Sequence, residues 1–320
     1  MRGKLFVSEG VEAEWAAEME AAAPGFARLV WSPGADEPDY ASIEALYFSG
    51  DVFPERSREF AVAALKAENL RWMHTFSAGV DDAFFGSLLK RGVRLTTSSG
   101  AQAEPIAQTA ILYLLALSRD LPGWLEDQRA RRWNPRSVRD LQGLHLGVVG
   151  LGPIGEAVAR LALALGMRVT GLRRAPRGDE PCETRPMAEL DALLPEVDAL
   201  VVAVPLTDAT RNLFDAAAFS RLKPGALFVN IARGEVVDEE ALVASLQEGR
   251  LGGAGLDVFR QEPLPAESPL WNLPNVLITP HSSGTSPGNL YRESQIFVDN
   301  LARYTRGDAL RNEVGPEGVR

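Results

Sequence analysis

Short apolar runs alternate with amphipathic stretches along most of the chain, the pattern of a parallel sheet whose strands are joined by helical crossovers. Near the amino terminus, strands are predicted at Lys4–Ser8, Arg28–Trp31, Ala45–Ser49, Trp72–Phe76 and Val93–Thr97, with helices at Val11–Ala23 and Pro54–Ala67 between some of them. A long apolar-rich helix is predicted from Pro105 to about Ser118, followed by a polar, basic connection over 128–135. Six further strands are then predicted: His145–Val149, Arg168–Leu172, Ala199–Val204, Leu227–Ile231, Gly255–Val258 and Val276–Thr279. These are almost continuous apolar runs, as strands covered on both faces should be. A last amphipathic helix, about Gly288–Arg306, has no following strand, so it is expected to pack back on the first unit. The expected division is a discontinuous domain of 1–101 and 286–320, and a second domain of 102–285.

Composition narrows the possibilities. A length of 320 residues suggests about two domains, and 46% hydrophobic with 24% charged residues is the balance of an ordered globular chain. Lys+Arg 33 against Asp+Glu 43 gives −10, which argues against nucleic acid or an anionic membrane as a partner. Cys182 is the single cysteine, excluding an intrachain disulfide or a cysteine-based zinc site. His74, His145 and His281 lie far apart in sequence without metal-site spacing, so no metal is expected. Only Leu5–Val7 is apolar near the start, and Ile106–Leu117 is too short to span a bilayer. The expectation is a soluble, cytoplasmic protein.

The first chemical signal is Gly150-Leu151-Gly152-Pro153-Ile154-Gly155, between a predicted strand and a predicted helix. Gly150 allows the tight turn, Gly152 lets the backbone approach a pyrophosphate, and Gly155 lets helix and strand pack closely. Pro153 suits a first helical turn, and the free N–H groups from Ile154 onward face the phosphates. With six strands around it, this loop points to a doubly wound dinucleotide-binding sheet. An NAD site usually carries an acid about 20 positions further on; here the second strand ends in Arg173-Arg174, and Asp179 and Glu180 follow a Pro/Gly-containing loop. Two guanidiniums suit a 2′-phosphate, so NADP is favoured over NAD, the bland alternative being two solvated arginines.

Beyond this loop, Val204-Pro205-Leu206-Thr207-Asp208-Ala209-Thr210, Leu222-Lys223-Pro224-Gly225, Asn230-Ile231-Ala232-Arg233-Gly234, Gly255-Leu256-Asp257-Val258-Phe259, Glu262-Pro263-Leu264-Pro265 and Thr279-Pro280-His281-Ser282-Ser283-Gly284 follow in order. Together they resemble the D-isomer-specific 2-hydroxyacid dehydrogenase family. The resemblance implies an α/β fold with two domains, a Rossmann sheet for the dinucleotide and a smaller flavodoxin-like domain for the substrate. It implies a trio of Arg233, Glu262 and His281. Arg233 would hold the keto acid with its fork of donors; His281 would protonate the nascent alkoxide; Glu262 would orient the imidazole and stabilise its charge. Hydride would come from the nicotinamide. The resemblance further implies that Asp257 holds the nicotinamide carboxamide and that Val204, Pro205, Thr210, Ile231 and Ala232 line the cofactor. Phe76-Ser77-Ala78-Gly79-Val80-Asp81 resembles the family's substrate loop, placing Ala78, Gly79 and Val80 at the substrate with Gly79 and Val80 N–H groups on its carboxylate. A homodimer joined through the cofactor domains is also implied.

The expected activity is therefore reduction of a small 2-keto acid, such as glyoxylate or hydroxypyruvate, to a D-2-hydroxy acid. Departures from the family pattern bear on the rivals. The substrate loop lacks the lysine of phosphite-oxidising relatives, and Glu262 stands where formate-oxidising ones have glutamine. A cofactor-sensing corepressor of the same fold could keep the trio and turn over little. A non-redox dinucleotide-binding domain would leave the trio without a joint purpose. His74 and His145 match no catalytic motif and read as structural. Trp72, Trp124, Trp133 and Trp271 could serve core, interface or lid, and Trp271 looks like a packing residue of the family pattern.

Overall fold

The structure is a computed structural model and describes residues 3–80 and 82–315. The chain forms two compact units, Met1–Gln102 with Ser286–Arg320, and Ala103–Thr285. In the first, β1 (Lys4–Ser8), β2 (Arg28–Trp31), β3 (Ile43–Phe48), β4 (Trp72–Thr75) and β5 (Arg94–Thr97) form a parallel sheet in the order β2-β1-β3-β4-β5. The connecting helices are α1 (Glu9–Ala22), α2 (Ser57–Lys66) and α3 (Ala83–Lys90). Strand alternation sends Phe6, Leu46 and Met73 into the core on one face and Leu5, Ala45, Tyr47 and Trp72 into that on the other. The carboxyl-terminal helix (Asn289–Arg306) completes the second core with Phe297 and Leu301, and Phe297 stacks on Tyr47 at 4.1 Å between ring centroids.

The second unit begins with α4 (Ala103–Ser118) and α5 (Leu121–Arg129). Its seven strands, β6 (His145–Val149), β7 (Arg168–Arg173), β8 (Glu183–Pro186), β9 (Ala199–Val202), β10 (Ala226–Asn230), β11 (Leu251–Leu256) and β12 (Val276–Ile278), lie parallel in the order β12-β11-β10-β9-β6-β7-β8. Helix α6 (Pro153–Ala164) joins β6 to β7; α7 (Leu190–Leu193), α8 (Ala216–Arg221) and α9 (Glu239–Gln247) serve later crossovers. Along β9, Ala199 and Val201 enter one core and Leu200 and Val202 the other, which is why these strands read as unbroken apolar runs. Among the described residues no helix is long and apolar enough to cross a membrane.

Two strands differ from expectation. The edge strand β8 has the sequence Glu-Thr-Arg-Pro and pairs only with β7, so half of it faces water and its proline ends it without cost. Strand β11 starts at Leu251 rather than Gly255, because its glycines hide it from an apolar pattern. Gly255 is required there: a Cβ would collide with the ring of Tyr113 on α4, so the glycine lets helix and sheet approach.

Candidate active site

Parallel strands bring their carboxyl ends to one edge of a sheet, where ligands of open α/β folds bind. In the second unit that edge carries the glycine loop, Arg173, Val204, the Ile231–Arg233 turn, Asp257 and His281, each at or just past the end of a strand. Gly150 has φ +104°, and a Cβ on it would stand 2.6 Å from the Ala203 carbonyl oxygen. A Cβ on Gly155 would run into the Gly150 carbonyl, so these two glycines close the loop against β9 and α6. Gly152 differs: a Cβ there would meet nothing within 4 Å. Gly152 is the N-cap of α6 and brings no side chain to its end, Pro153 opens the helix, and the N–H groups of Ile154 and Gly155 have no preceding turn to bond to. Open space over unpaired N–H groups is the setting a dinucleotide pyrophosphate needs. Among the described residues no group of three His, Cys, Asp or Glu side chains is arranged to hold a metal ion.

The two arginines after β7 have different surroundings. Arg173 is half-buried and its Nη1 donates to Glu180 at 3.0 Å, with Glu156 at 3.7 Å. Glu180 also accepts the N–H groups of Arg177 at 2.6 Å and Gly178 at 2.7 Å, bonds that lower its pKa to about 2. The loop thus folds an acid back onto Arg173, which the sequence order alone conceals. Arg174 is exposed and has no ion-pair partner among the described residues. Arg177, not singled out from the sequence, lies on the same loop and pairs with Glu156 at 2.6 Å and Asp179 at 2.9 Å.

At the opposite end of the sheet, His281 Nδ1 and Glu262 Oε2 are 2.7 Å apart. The other Glu262 oxygen accepts the Phe259 N–H at 3.0 Å. An ionised carboxylate only accepts, so the imidazole proton facing it sits on Nδ1 and Nε2 is left for other chemistry. His281 adopts φ +50°, unusual for a residue with a side chain, and its N–H is held by the Asp257 carbonyl at 2.8 Å. Asp257 itself is 2% exposed. It accepts from the Thr279 hydroxyl at 2.5 Å, the Ser282 N–H at 2.9 Å, the Ser283 N–H at 3.1 Å and the Ser283 hydroxyl. These donors bind it into the turn that presents His281 and use most of a carboxylate's acceptor capacity.

Arg233 follows β10, whose neighbour in the sheet is β11. Asn230, 1% exposed, braces this turn: its amide donates to the Arg233 carbonyl at 3.0 Å and its side-chain oxygen accepts the Ala232 N–H at 3.0 Å. The sequence signal for Asn230 was a polar residue closing an otherwise apolar strand. Val204, Ile231 and Ala232 are buried, while Thr210 closes its own turn by donating to the Pro205 carbonyl at 2.7 Å. Trp271, expected to pack, is half-exposed; with Leu264, Ile278, Glu262 and His281 it lines an apolar cavity of about 440 Å³.

In the first unit the loop after β4 offers backbone rather than side chains. Among the described residues the N–H groups of Ala78, Gly79 and Val80 have no hydrogen-bond partner. The Ser77 hydroxyl donates to the Gly79 carbonyl at 2.5 Å, and because C=O and N–H point oppositely across a trans peptide, the Val80 N–H points away from Ser77. Asp81 lies outside the described residues.

The family described as D-isomer specific 2-hydroxyacid dehydrogenase, NAD binding domain, matches residues 111–283. The glyoxylate/hydroxypyruvate reductase B of Escherichia fergusonii is 36% identical over 286 residues, 87% of this chain and 86% of that protein. A crystal structure of a D-isomer specific 2-hydroxyacid dehydrogenase from Xanthobacter autotrophicus, in complex with NADPH and MES, matches with a TM-score of 0.79 and 31% identity over 99% of each chain. The NADPH-dependent glyoxylate/hydroxypyruvate reductase of Sinorhizobium meliloti, in complex with NADP and sulfate, gives a TM-score of 0.80 and 27% identity over 99% of each chain. Sequence motifs, fold and relatives agree, and the chain belongs to the D-isomer specific 2-hydroxyacid dehydrogenase family.

Proposed function

We propose that this protein is an NADPH-preferring reductase of small 2-keto acids that forms D-2-hydroxy acids, with glyoxylate and hydroxypyruvate as leading substrates. The observation that carries the reading is the 2.7 Å contact between His281 and Glu262 on the edge of the sheet where the glycine loop and Arg233 also end. In this reading the second unit holds the cofactor and the first the substrate carboxylate. Bound NADPH supplies the hydride.

The protein's own groups do the rest. Arg233 presents a planar fork of donors to the keto acid, favouring the oxygen on which negative charge develops. His281 holds a proton at Nε2 for that oxygen and takes it back in the reverse direction. Glu262 keeps the ring turned by accepting at Nδ1 and offsets its positive charge. The free N–H groups of Ala78, Gly79 and Val80 take the carboxylate.

Gly150, Gly152, Pro153, Ile154 and Gly155 cradle the pyrophosphate, and Val204, Pro205, Thr210, Ile231, Ala232 and Arg233 line the remainder. For the 2′-phosphate we assign Arg174 the direct contact and Arg173 a supporting place beside Glu180, a division the loop geometry favours over two equal arginines. Asp257 is assigned first to the His281 turn, and a carboxamide contact would be shared with the donors already there. NADPH in the Xanthobacter structure and NADP in the Sinorhizobium structure support the cofactor preference. The reductase and dehydrogenase names of these relatives favour turnover over a corepressor role. The net charge of −10 fits a cytoplasmic enzyme without nucleic-acid or membrane partners, and the family resemblance supports a homodimer.

Oxidation of NADPH and NADH, followed in parallel by absorbance with glyoxylate, hydroxypyruvate, pyruvate, phenylpyruvate and branched keto acids, tests this reading. Faster turnover with NADPH and one of the two smallest polar acids is expected. Tight cofactor binding without turnover of any acid would overturn it.

A further inference from the structure

We infer that His74 is a positioning residue for the 77–80 loop, acting through a buried chain of hydrogen bonds whose direction is fixed by its donors. The inference rests on the proposal that this loop binds the substrate carboxylate.

His74 is fully buried on β4, between Thr96 within β5 and Ser98 just beyond its end. Trp72 Nε1 lies 2.9 Å from Thr96 Oγ1, His74 Nδ1 lies 2.7 Å from the same oxygen, and His74 Nε2 lies 3.0 Å from Ser98 Oγ. The Ser98 hydroxyl in turn reaches the Thr75 carbonyl at 3.0 Å. Proton accounting admits one arrangement that uses every donor. Indole N–H can only donate, so Thr96 accepts from Trp72 and gives its single hydroxyl proton to His74 Nδ1. The imidazole proton is therefore on Nε2 and goes to Ser98, and the Ser98 proton goes to Thr75. The opposite tautomer would place a second donor on Thr96 and strand its hydroxyl proton in a buried site. Burial also holds the imidazole neutral, with its pKa down at about 3, so this tautomer persists through the working pH range.

The side-chain relay ends on the carbonyl of Thr75, the last residue of β4, and the Ser98 backbone carries the contact on to the loop. The Ser98 N–H is shared between the Thr75 carbonyl at 3.0 Å and the Ser77 carbonyl at 3.1 Å. The Ser77 side chain holds the Gly79 carbonyl, which sets the direction of the Val80 N–H. His74 thus fixes Ser98, Ser98 fixes the backbone at Ser77, and Ser77 sets the peptide that faces the anion. A core histidine filling space would need neither this polarity nor this end point.

Steady-state kinetics with NADPH and glyoxylate or hydroxypyruvate on the full chain test the inference, with NADPH affinity and thermal melting measured alongside. His74→Phe keeps the volume and cuts the chain; it is expected to raise the keto-acid KM about tenfold or more, with smaller changes in kcat and NADPH affinity. Ser98→Ala cuts the same chain and should match it, and the double variant should be no worse than His74→Phe alone. His74→Gln can still accept from Thr96 and donate to Ser98, and should recover most of the wild-type KM. An unchanged KM in His74→Phe despite a lower Tm, or single effects that multiply in the double variant, would overturn the inference. If His74→Phe does not fold, an unchanged KM in Ser98→Ala overturns it equally. Ser77→Ala separates this failure from that of the underlying reading: an unchanged KM there removes the loop from substrate binding, whereas a raised KM beside a normal His74→Phe removes only His74.

Discussion

Each unit buries a polar network beneath a working loop, and the two networks are built on opposite principles. In the second unit the Asp257 carboxylate gathers donors from Thr279, Ser282 and Ser283, and so holds His281 in a backbone conformation that side chains rarely adopt. In the first, the neutral His74 passes a single direction of donation from Trp72 to Ser98. In the proposed function the carboxylate presents a side chain that reacts, and the imidazole orders backbone groups that only bind. A buried anion surrounded by donors can hold a strained turn, because each bond to it is charge-assisted. A neutral relay costs less to bury and suits a loop proposed to aim N–H groups.

The largest effects should separate the working group from its support. His281→Ala is expected to lower kcat by about 10²-fold or more while NADPH affinity stays nearly unchanged. Because this imidazole is about half exposed, thermal stability should hardly move. Asp257→Ala should lose activity as well, but with a destabilisation of about 3 kcal/mol from the donors it strands. Equal stability losses in the two variants, read by denaturant titration, would mean that Asp257 does not organise the turn.

The same contrast explains what the sequence reveals and what it conceals. The doubly wound sheet is legible because strands buried on both faces read as apolar runs, and the glycine loop because a tight turn and a close backbone approach demand glycine at fixed spacing. Arg233, Glu262 and His281 are legible as candidates because the roles proposed for them lie in their side chains. Strand β8 is hidden because an edge strand needs no apolar pattern, and the start of β11 because Gly252 and Gly253 serve packing rather than pattern. The pairing of Glu180 with Arg173 depends on a loop folding back, which no spacing rule states. Asn230, Ser98 and Thr96 act on the backbone of their neighbours, so their identity as ordinary polar residues carries no functional mark. His74 reads as a core histidine until its partners are seen.

A smaller effect should divide the two arginines after β7. Arg174→Ser is expected to raise the KM for NADPH about tenfold, a loss typical of one charge-assisted phosphate contact, and to leave NADH nearly unchanged. Arg173→Ser should spare that discrimination, because Glu180 stays held by the Arg177 and Gly178 N–H groups and loses only its pairing with Arg173. Matching losses of NADPH over NADH in both variants would restore the symmetrical reading of the pair.

The gentlest test uses pH, because the first unit buries two groups that titrate in opposite senses. Burial lowers His74 from 6.5 to about 3 and raises Glu293, on the last helix, from 4.5 to about 7. Between about pH 3 and 6.5 the unfolded chain binds the proton that folded His74 refuses, so this group makes the fold more stable as pH rises. Between about pH 4.5 and 7 folded Glu293 keeps a proton that the unfolded chain releases, so this group makes the fold less stable as pH rises. From 4.5 to 6.5 the two slopes oppose each other, and their contributions in the wild type should largely cancel. His74→Gln should uncover the falling slope, up to about 1.4 kcal/mol per pH unit, and Glu293→Gln the rising one. Denaturant titrations of the three proteins at pH 5, 6 and 7 measure this directly. Parallel profiles for wild type and His74→Gln would mean that folded His74 titrates as it does in the unfolded chain, gaining below about pH 6.5 a proton that leaves Nδ1 unable to accept from Thr96. The direction of the relay would then be lost, and with it the difference between a loop aimed by a neutral chain and one held by a buried anion.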